Sequence, residues 1–163
     1  MTTFTKIVKL PVLKRKIAAM RRQGCNIAFT NGCFDILHYG HVSYLEAASK
    51  KGRVLIVGVN SDASVRGLKG PMRPIVPQDQ RAAVLAGLAC VDFVVLFDES
   101  TPYELIKSLK PDVLVKGADW KGRDVAGSDV VKENGGRVEF ITFVERLSTT
   151  NIVEKIRQQC AGK

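Results

Sequence analysis

Apolar residues gather in five short runs along the chain: Ile27-Ala28-Phe29, Val54–Val59, Phe93–Phe97, Val113–Val115 and Val138–Ile141. Each is of strand length, and nearly continuous apolar character marks strands buried on both faces. Between and after these runs the period changes. Leu13, Ile17 and Met20 recur at helical spacing in a stretch from about Leu10 to Gly24 that ends on glycine. Further helical stretches are expected at Tyr39–Lys51, Gln78–Ala89, Pro102–Leu109, Gly127–Asn134 and Thr149–Gln159. The segment holding Arg66, Lys69 and Arg73 is rich in glycine and proline and reads as a loop. Short strands alternating with helices predict an α/β fold, a doubly wound parallel sheet of about five strands with helices on both faces. Residues 1–163 are expected to form a single domain, with the helix of about 10–24 preceding the first strand. Sheets of this kind bind ligands beyond the carboxyl ends of their strands.

Composition narrows the setting. With 163 residues and 45% hydrophobic content, the chain can bury a full-sized core. No apolar run approaches the roughly 20 residues that span a bilayer, and the first residues lack the pattern of a signal peptide. A cytoplasmic protein with no membrane partner is expected. Cys25, Cys33, Cys90 and Cys160 lie far apart, which argues against zinc and against a disulfide framework. The formal charge of +9 admits nucleic acid or small anions as partners. The basic residues are scattered and the aromatics do not interleave with them, so no nucleic-acid platform is expected.

Candidate chemistry concentrates in Asn31-Gly32-Cys33-Phe34-Asp35-Ile36-Leu37-His38-Tyr39-Gly40-His41. These residues follow the first strand and lead into a helix, and they hold both histidines of the chain. A helix N-terminus offers unpaired N–H groups and the positive end of a dipole. Imidazoles at i and i+3 project to one side, where each can donate to a phosphate oxygen. Gly40 between them allows close approach of the backbone. No P-loop, G-x-G-x-x-G or G-x-S-x-G pattern occurs, so phosphate binding without a covalent intermediate is the favoured chemistry. Cys33 reads as a small packed turn residue rather than a nucleophile.

Asn31–Asp35 followed by His38–His41 resembles the motif of the H-x-G-H nucleotidyltransferase (cytidylyltransferase-like) superfamily. Later segments resemble, in order, the bacterial heptose-1-phosphate adenylyltransferases: Val59–Asp62, Val65–Pro71, Arg73–Ile75, Gln80-Arg81, Val91-Asp92, Val115–Trp120 and Leu147–Ile152. The resemblance runs from about Asn26 to Arg157. One departure lies near the end, where the arginine and glycine of the cytidylyltransferase pattern fall on Phe143 and Arg146.

The resemblance implies a Rossmann-like nucleotidyltransferase that joins ATP to D-glycero-D-manno-heptose 1-phosphate, releasing pyrophosphate. It implies catalytic roles for His38, His41 and Lys69, and nucleotide contacts at Gly32, Cys33, Phe34, Gly40, Lys116, Gly117, Asp119, Ser148 and Thr149. Substrate contacts fall on Asn31, Asp35, Asn60, Arg73 and Arg81. Mg²⁺ is expected through the ATP phosphates, with no protein-built metal site. A separate upstream sugar kinase and a homo-oligomer are expected. Individual residues keep a plainer reading beside the functional one. Asp35 could cap the turn, Lys69 could be a solvated loop lysine, and Lys116 could support its loop. Arg81 is balanced between phosphate contact and a structural ion pair, Ser148 could be an ordinary N-cap, and Trp120 reads as packing at the border of the site. Two other functions stay open: a cytidylyltransferase for glycerol 3-phosphate or a similar alcohol phosphate, and a non-catalytic nucleotide or nucleic-acid binder.

Overall fold

A computed structural model describes residues 2–50, 52–142 and 148–161. In chain order the first half holds α1 (Thr3–Lys6), α2 (Leu10–Arg22), β1 (Asn26–Gly32), α3 (Tyr39–Ala48), β2 (Arg53–Asn60), α4 (Asp62–Lys69) and α5 (Gln78–Gly87). The second half holds β3 (Phe93–Phe97), α6 (Tyr103–Leu109), β4 (Val113–Gly117), a 3₁₀ turn (Ala118–Trp120), α7 (Ser128–Glu133), β5 (Arg137–Ile141) and α8 (Thr149–Ala161). The strands form one sheet in the order β3-β2-β1-β4-β5, every pair parallel. The order reverses between β1 and β4, which opens a crevice at the carboxyl edge beside β1.

Strand residues alternate between two cores. Ala28, Leu55, Val57, Val59, Val94, Val113 and Val115 face Tyr44, Leu45 and Ala48 of α3 and Ala82, Leu85 and Ala86 of α5. Ile27, Phe29, Ile56, Phe93, Val95, Phe97 and Leu114 face Leu13 and Ile17 of α2, Leu105, Ile106 and Leu109 of α6 and Val131 of α7. Burial on both faces accounts for the near-continuous apolar runs. The close fit of sheet to helices shows at two glycines. A Cβ on Gly58 would lie 2.8 Å from the Phe29 ring, and one on Gly127, whose φ is +82°, would lie 2.8 Å from Ile106.

The structure corrects the sequence reading in one place that bears on the site. The segment expected to be a loop forms α4 as far as Lys69. Ser61 caps it, its hydroxyl accepting from the Ser64 amide at 3.2 Å, with Asp62 in the first turn favouring the dipole. Gly70, at φ 91°, ends it. The short turn α1 was also not expected. Strands β1 and β4 extend past their apolar runs to Gly32 and Gly117, because ladder pairing continues through the polar residues Thr30, Asn31 and Lys116.

Candidate active site

At the carboxyl edge a cleft of about 550 Å³ opens over β1. Its walls include Asn31, Gly32, Cys33, Phe34 and Asp35 from the end of β1 and the turn after it, with His41 and Tyr44 from α3. Opposite stand Asn60, Leu68, Lys69 and Arg73 from the end of β2, α4 and the following loop. Ser100, Thr101 and Pro102 come from beyond β3, Lys116, Gly117 and Trp120 from the end of β4, Ala126 from the loop before α7, and Thr149 and Thr150 from the start of α8. Four strand ends therefore converge on one space.

The turn after β1 is built tightly. Phe34 takes φ 45°, a left-handed conformation that bulky residues rarely adopt and that tends to persist where surroundings over-determine it. Its ring lies where a Cβ on Gly32 would come within 3.0 Å, and it meets the His41 ring edge-on at 5.2 Å. His38 is the N-cap of α3, and His41 lies in the first turn. The two imidazoles stack with centroids 3.8 Å apart and planes 24° from parallel. Two cations that close would repel, and burial already disfavours charge. Burial first, and His38 second, push the His41 pKa down to about 4; burial also lowers that of His38. Both rings are neutral at pH 7. Among the described residues, each Nδ1 is buried with no hydrogen-bond partner. Orphaned donors are rarer than orphaned acceptors in buried settings, so we assign the proton to Nε2 on both rings. That tautomer gives each ring a donor at its outer edge.

Asp35 is engaged inside the protein. It is 3% exposed; Oδ1 accepts from the Ile75 and Val76 amides at 2.8 Å each, and Oδ2 accepts from Arg73 Nε at 2.5 Å. Burial pushes this carboxyl up, but the Val76, Ile75 and Arg73 donors outweigh it and hold it below the usual carboxylate range. Asp35 thus borders the cleft and at the same time anchors Arg73 and its loop. Arg81 departs from the expected clamp. It is 1% exposed and lies outside the cleft, donating to Val76 O, Cys33 O, Asn60 O and the Asp62 carboxylate. Its guanidinium fork is filled by protein acceptors, so the structural reading prevails.

Lys69, the last residue of α4, lines the cleft and forms no ion pair among the described residues. Lys116 lies on the cleft floor, with Nζ donating to Asn31 Oδ1 at 2.6 Å. Asn60 is turned toward α4, its amide donating to the Ser64 hydroxyl at 2.9 Å. Burial pushes the Cys33 thiol up despite Lys69, Arg81 and Arg73, which keeps it protonated and unsuited to nucleophilic attack. Ser148 accepts from the Asn151 amide at 3.1 Å as an N-cap, and Thr149 reaches back to Ile36 O at 3.3 Å, tying α8 to the turn after β1.

Of the expected site residues, Asn31–Asp35, His41, Asn60, Lys69, Arg73, Lys116, Gly117 and Thr149 border the cleft. His38 and Gly40 sit just behind it in the same turn, Asp119 is exposed beside it, and Ser148 lies next to Thr149. Phe143 and Arg146 lie outside the described residues. Tyr44, Leu68, Ser100, Thr101, Pro102, Ala126 and Thr150 line the cleft without having been expected. Ser100 and Thr101 carried a usable signal, since they follow the carboxyl end of β3. Among the described residues no group of three or more His, Cys, Asp or Glu could hold a metal ion. The cleft carboxylate, Asp35, has both oxygens occupied. This donor set fits a Mg²⁺ that arrives on phosphate oxygens, not one caged by the protein.

A five-stranded parallel sheet with two stacked histidines beside its order reversal defines an α/β protein of the Rossmann-like class. A cytidylyltransferase-like family model matches residues 29–156, and the chain belongs to that family. The bifunctional protein HldE of Trichlorobacter lovleyi is 54% identical over 95% of this chain and 32% of its own length. HldE of Nitratiruptor sp. is 62% identical over 85% of this chain and 29% of its own. The chain therefore spans about a third of the curated relatives it matches. A lipopolysaccharide core biosynthesis protein from Thermoplasma volcanium superposes with a TM-score of 0.60 at 29% identity, covering 73% of this chain and 96% of that one. No described helix is long and apolar enough to cross a membrane.

Proposed function

We propose that this chain transfers the AMP moiety of ATP to D-glycero-D-manno-heptose 1-phosphate, giving ADP-heptose and pyrophosphate. The observation that carries the reading is the neutral, stacked His38–His41 pair at the head of α3, with His41 on the wall of a cleft that also holds Lys69, Arg73 and Lys116. The motifs at Asn31–His41, Val59–Ile75 and Val115–Trp120 resemble the heptose-1-phosphate adenylyltransferases, and the identity to HldE supports that choice.

A phosphate oxygen of the sugar attacks the α-phosphorus of ATP in line, and pyrophosphate leaves with the electron pair of the broken P–O bond. The nucleophile is an anion at pH 7, so the site has no need of a strong base. Its task is to offset repulsion between two anions and to stabilise charge on the α-phosphate oxygens. His41 and His38 donate through Nε2–H, and the first turn of α3 adds its dipole. Arg73, held by Asp35, presents the rest of its guanidinium to phosphate, and Lys69 supplies a mobile point charge. The N-terminus of α8, with Ser148 and Thr149, serves the outer phosphates. Gly32, Cys33, Phe34, Gly40, Gly117 and Asp119 shape the nucleotide side, while Asn31 and Asn60 border the acceptor. Bound through the ATP phosphates, Mg²⁺ would neutralise part of the triphosphate charge. The acceptor must arrive already phosphorylated, so a sugar-phosphorylating enzyme precedes this one.

A pyrophosphate-release panel crossing ATP and CTP with α- and β-heptose 1-phosphate and glycerol 3-phosphate tests the proposal. Turnover is expected with ATP and one heptose 1-phosphate anomer. Faster turnover with CTP and glycerol 3-phosphate would overturn the assignment in favour of an alcohol-phosphate cytidylyltransferase.

A further inference from the structure

Among the described residues, Lys116 is a buried ammonium without a carboxylate in contact. It is 8% exposed, and none of the ion pairs among the described residues includes it. Its contacts are the neutral Asn31 Oδ1 at 2.6 Å and the face of Trp120, whose ring centroid lies 5.3 Å from Nζ. Holding a cation out of water against neutral partners is costly for the folded protein alone. The arrangement becomes favourable once an anion enters the cleft that Lys116 lines. Position says which part of an anion it meets. Asn31 is the penultimate residue of β1, immediately before the turn that carries the histidines, so Nζ lies over the strand end from which that turn springs. Arg73 is already paired with Asp35, and Lys69 is exposed at the rim. Lys116 is thus the unpaired cation on the floor among the described residues.

We propose that Lys116, oriented by Asn31 and screened by Trp120, is a phosphate-oxygen ligand whose proton gates nucleotide binding in this cleft. This rests on the nucleotide reading of the site and adds a residue whose charge is conditional, unlike the arginine beside it. Burial pushes the Lys116 pKa down to about 8, opposed by the nearby charge of Asp119. Among the described residues its neighbours are neutral: Asn31 on β1, Trp120 on the 3₁₀ turn and Phe140, its register partner on β5, while the Tyr44 phenol in the same cleft is pushed up by burial and stays protonated. Elsewhere in the cleft, burial pushes the Cys33 thiol to higher pH, and Asp35 and His41 titrate on the acid side.

The test is calorimetric binding of MgATP at about pH 7 and about pH 9.5, on either side of this value, with wild type, K116M and K116R. Wild-type affinity should fall about tenfold between the two, the worth of one charge-assisted hydrogen bond. K116M should bind about tenfold more weakly at the lower pH and show no further loss at the higher. K116R, whose charge does not titrate in this range, should hold its affinity at both. K116M should also melt at or above the wild-type temperature, since it removes a desolvated charge, whereas a structural lysine would lower it. Wild-type affinity in K116M, or an alkaline loss that survives in K116M or K116R, overturns the proposal. The measurement needs no acceptor, so failure of heptose 1-phosphate to react would sink the acceptor assignment and leave this result standing. Wild type that binds no ATP would sink both.

Discussion

A single imidazole near pH 7 is an ambiguous group, but two imidazoles stacked at 3.8 Å are not. Their closeness and burial favour the neutral pair, and neutrality turns each ring into a donor with a fixed outer edge. His41→Ala removes one such donor and should lower kcat about 10²–10³-fold, roughly 3–4 kcal/mol of transition-state stabilisation. Steady-state pyrophosphate release at saturating substrates measures it, and a loss below about threefold would remove His41 from the chemistry. Because His41 gains its proton only at about pH 4, the kcat/KM profile should carry no inflection that depends on His41 between about pH 5 and pH 8. This holds whatever the phosphate substrate itself contributes near its second pKa, about 6. Protonating His41 adds a proton to a ring that already donates from Nε2 and places a charge against His38. An inflection near 6.5, the ordinary histidine value, that disappears in His41→Ala would show that the ring is charged at work.

At the scale of elements, sequence pattern reaches as far as periodicity carries it. The five strands were legible because burial on both faces leaves an unbroken apolar run. Helix α4 was not, since its eight residues include Gly67 and end before Gly70-Pro71, signs that outweighed its cap. The signal lay in Ser61 and Asp62, a capping pair that only a search for helix starts would have caught. Most of the cleft was legible through its motif turns, but the roles of Asp35 and Arg81 were not. Partners such as Ile75, Val76 and Cys33 are set by tertiary geometry, and spacing along the chain does not encode them. The same holds for Glu139 on the edge strand β5, which gathers Arg53 from the start of β2, Lys50 from beyond α3 and Arg137 from its own strand. Hydrogen bonding from Arg53, ahead of that from Lys50 and Arg137, outweighs burial and holds its pKa down to about 2. A depressed carboxylate stabilises the fold above its unfolded value of 4.5, and this contribution fades as pH falls toward 2. Glu139→Gln should therefore cost about 1 kcal/mol at neutral pH, the upper end for partly exposed pairs. That is a drop of roughly 2–4 °C in Tm. The difference between the two proteins should shrink toward zero as melts are repeated from about pH 4.5 down to about pH 2; a gap that stays constant over that range would assign the effect to packing.

At the scale of the molecule, the site exists because separate strand ends are held in one frame, and Arg81 joins two of them. Its guanidinium bonds the turn after β1 through Cys33 O and the end of β2 through Asn60 O. It also bonds the start of α4 through Asp62 and the loop before α5 through Val76 O. Asp35 adds a second tie between that turn and that loop. Together they fix the histidines relative to Lys69 and Arg73, which arrive from the other side of β1. Removing one partner from a buried ionic network leaves the others desolvated and unpaired, at a cost of about 3–5 kcal/mol. Arg81→Ala should accordingly lower Tm by about 6–20 °C, taking roughly 2–4 °C per kcal/mol for a domain of this size. Arg81→Lys keeps the charge but not the fork, and should recover less than half of the loss. A phosphate clamp makes the opposite forecast: little change in melting and a large rise in KM for ATP. Thermal melts and ATP titrations on the same two variants separate these outcomes, and near-wild-type stability in Arg81→Ala would return the residue to the cleft.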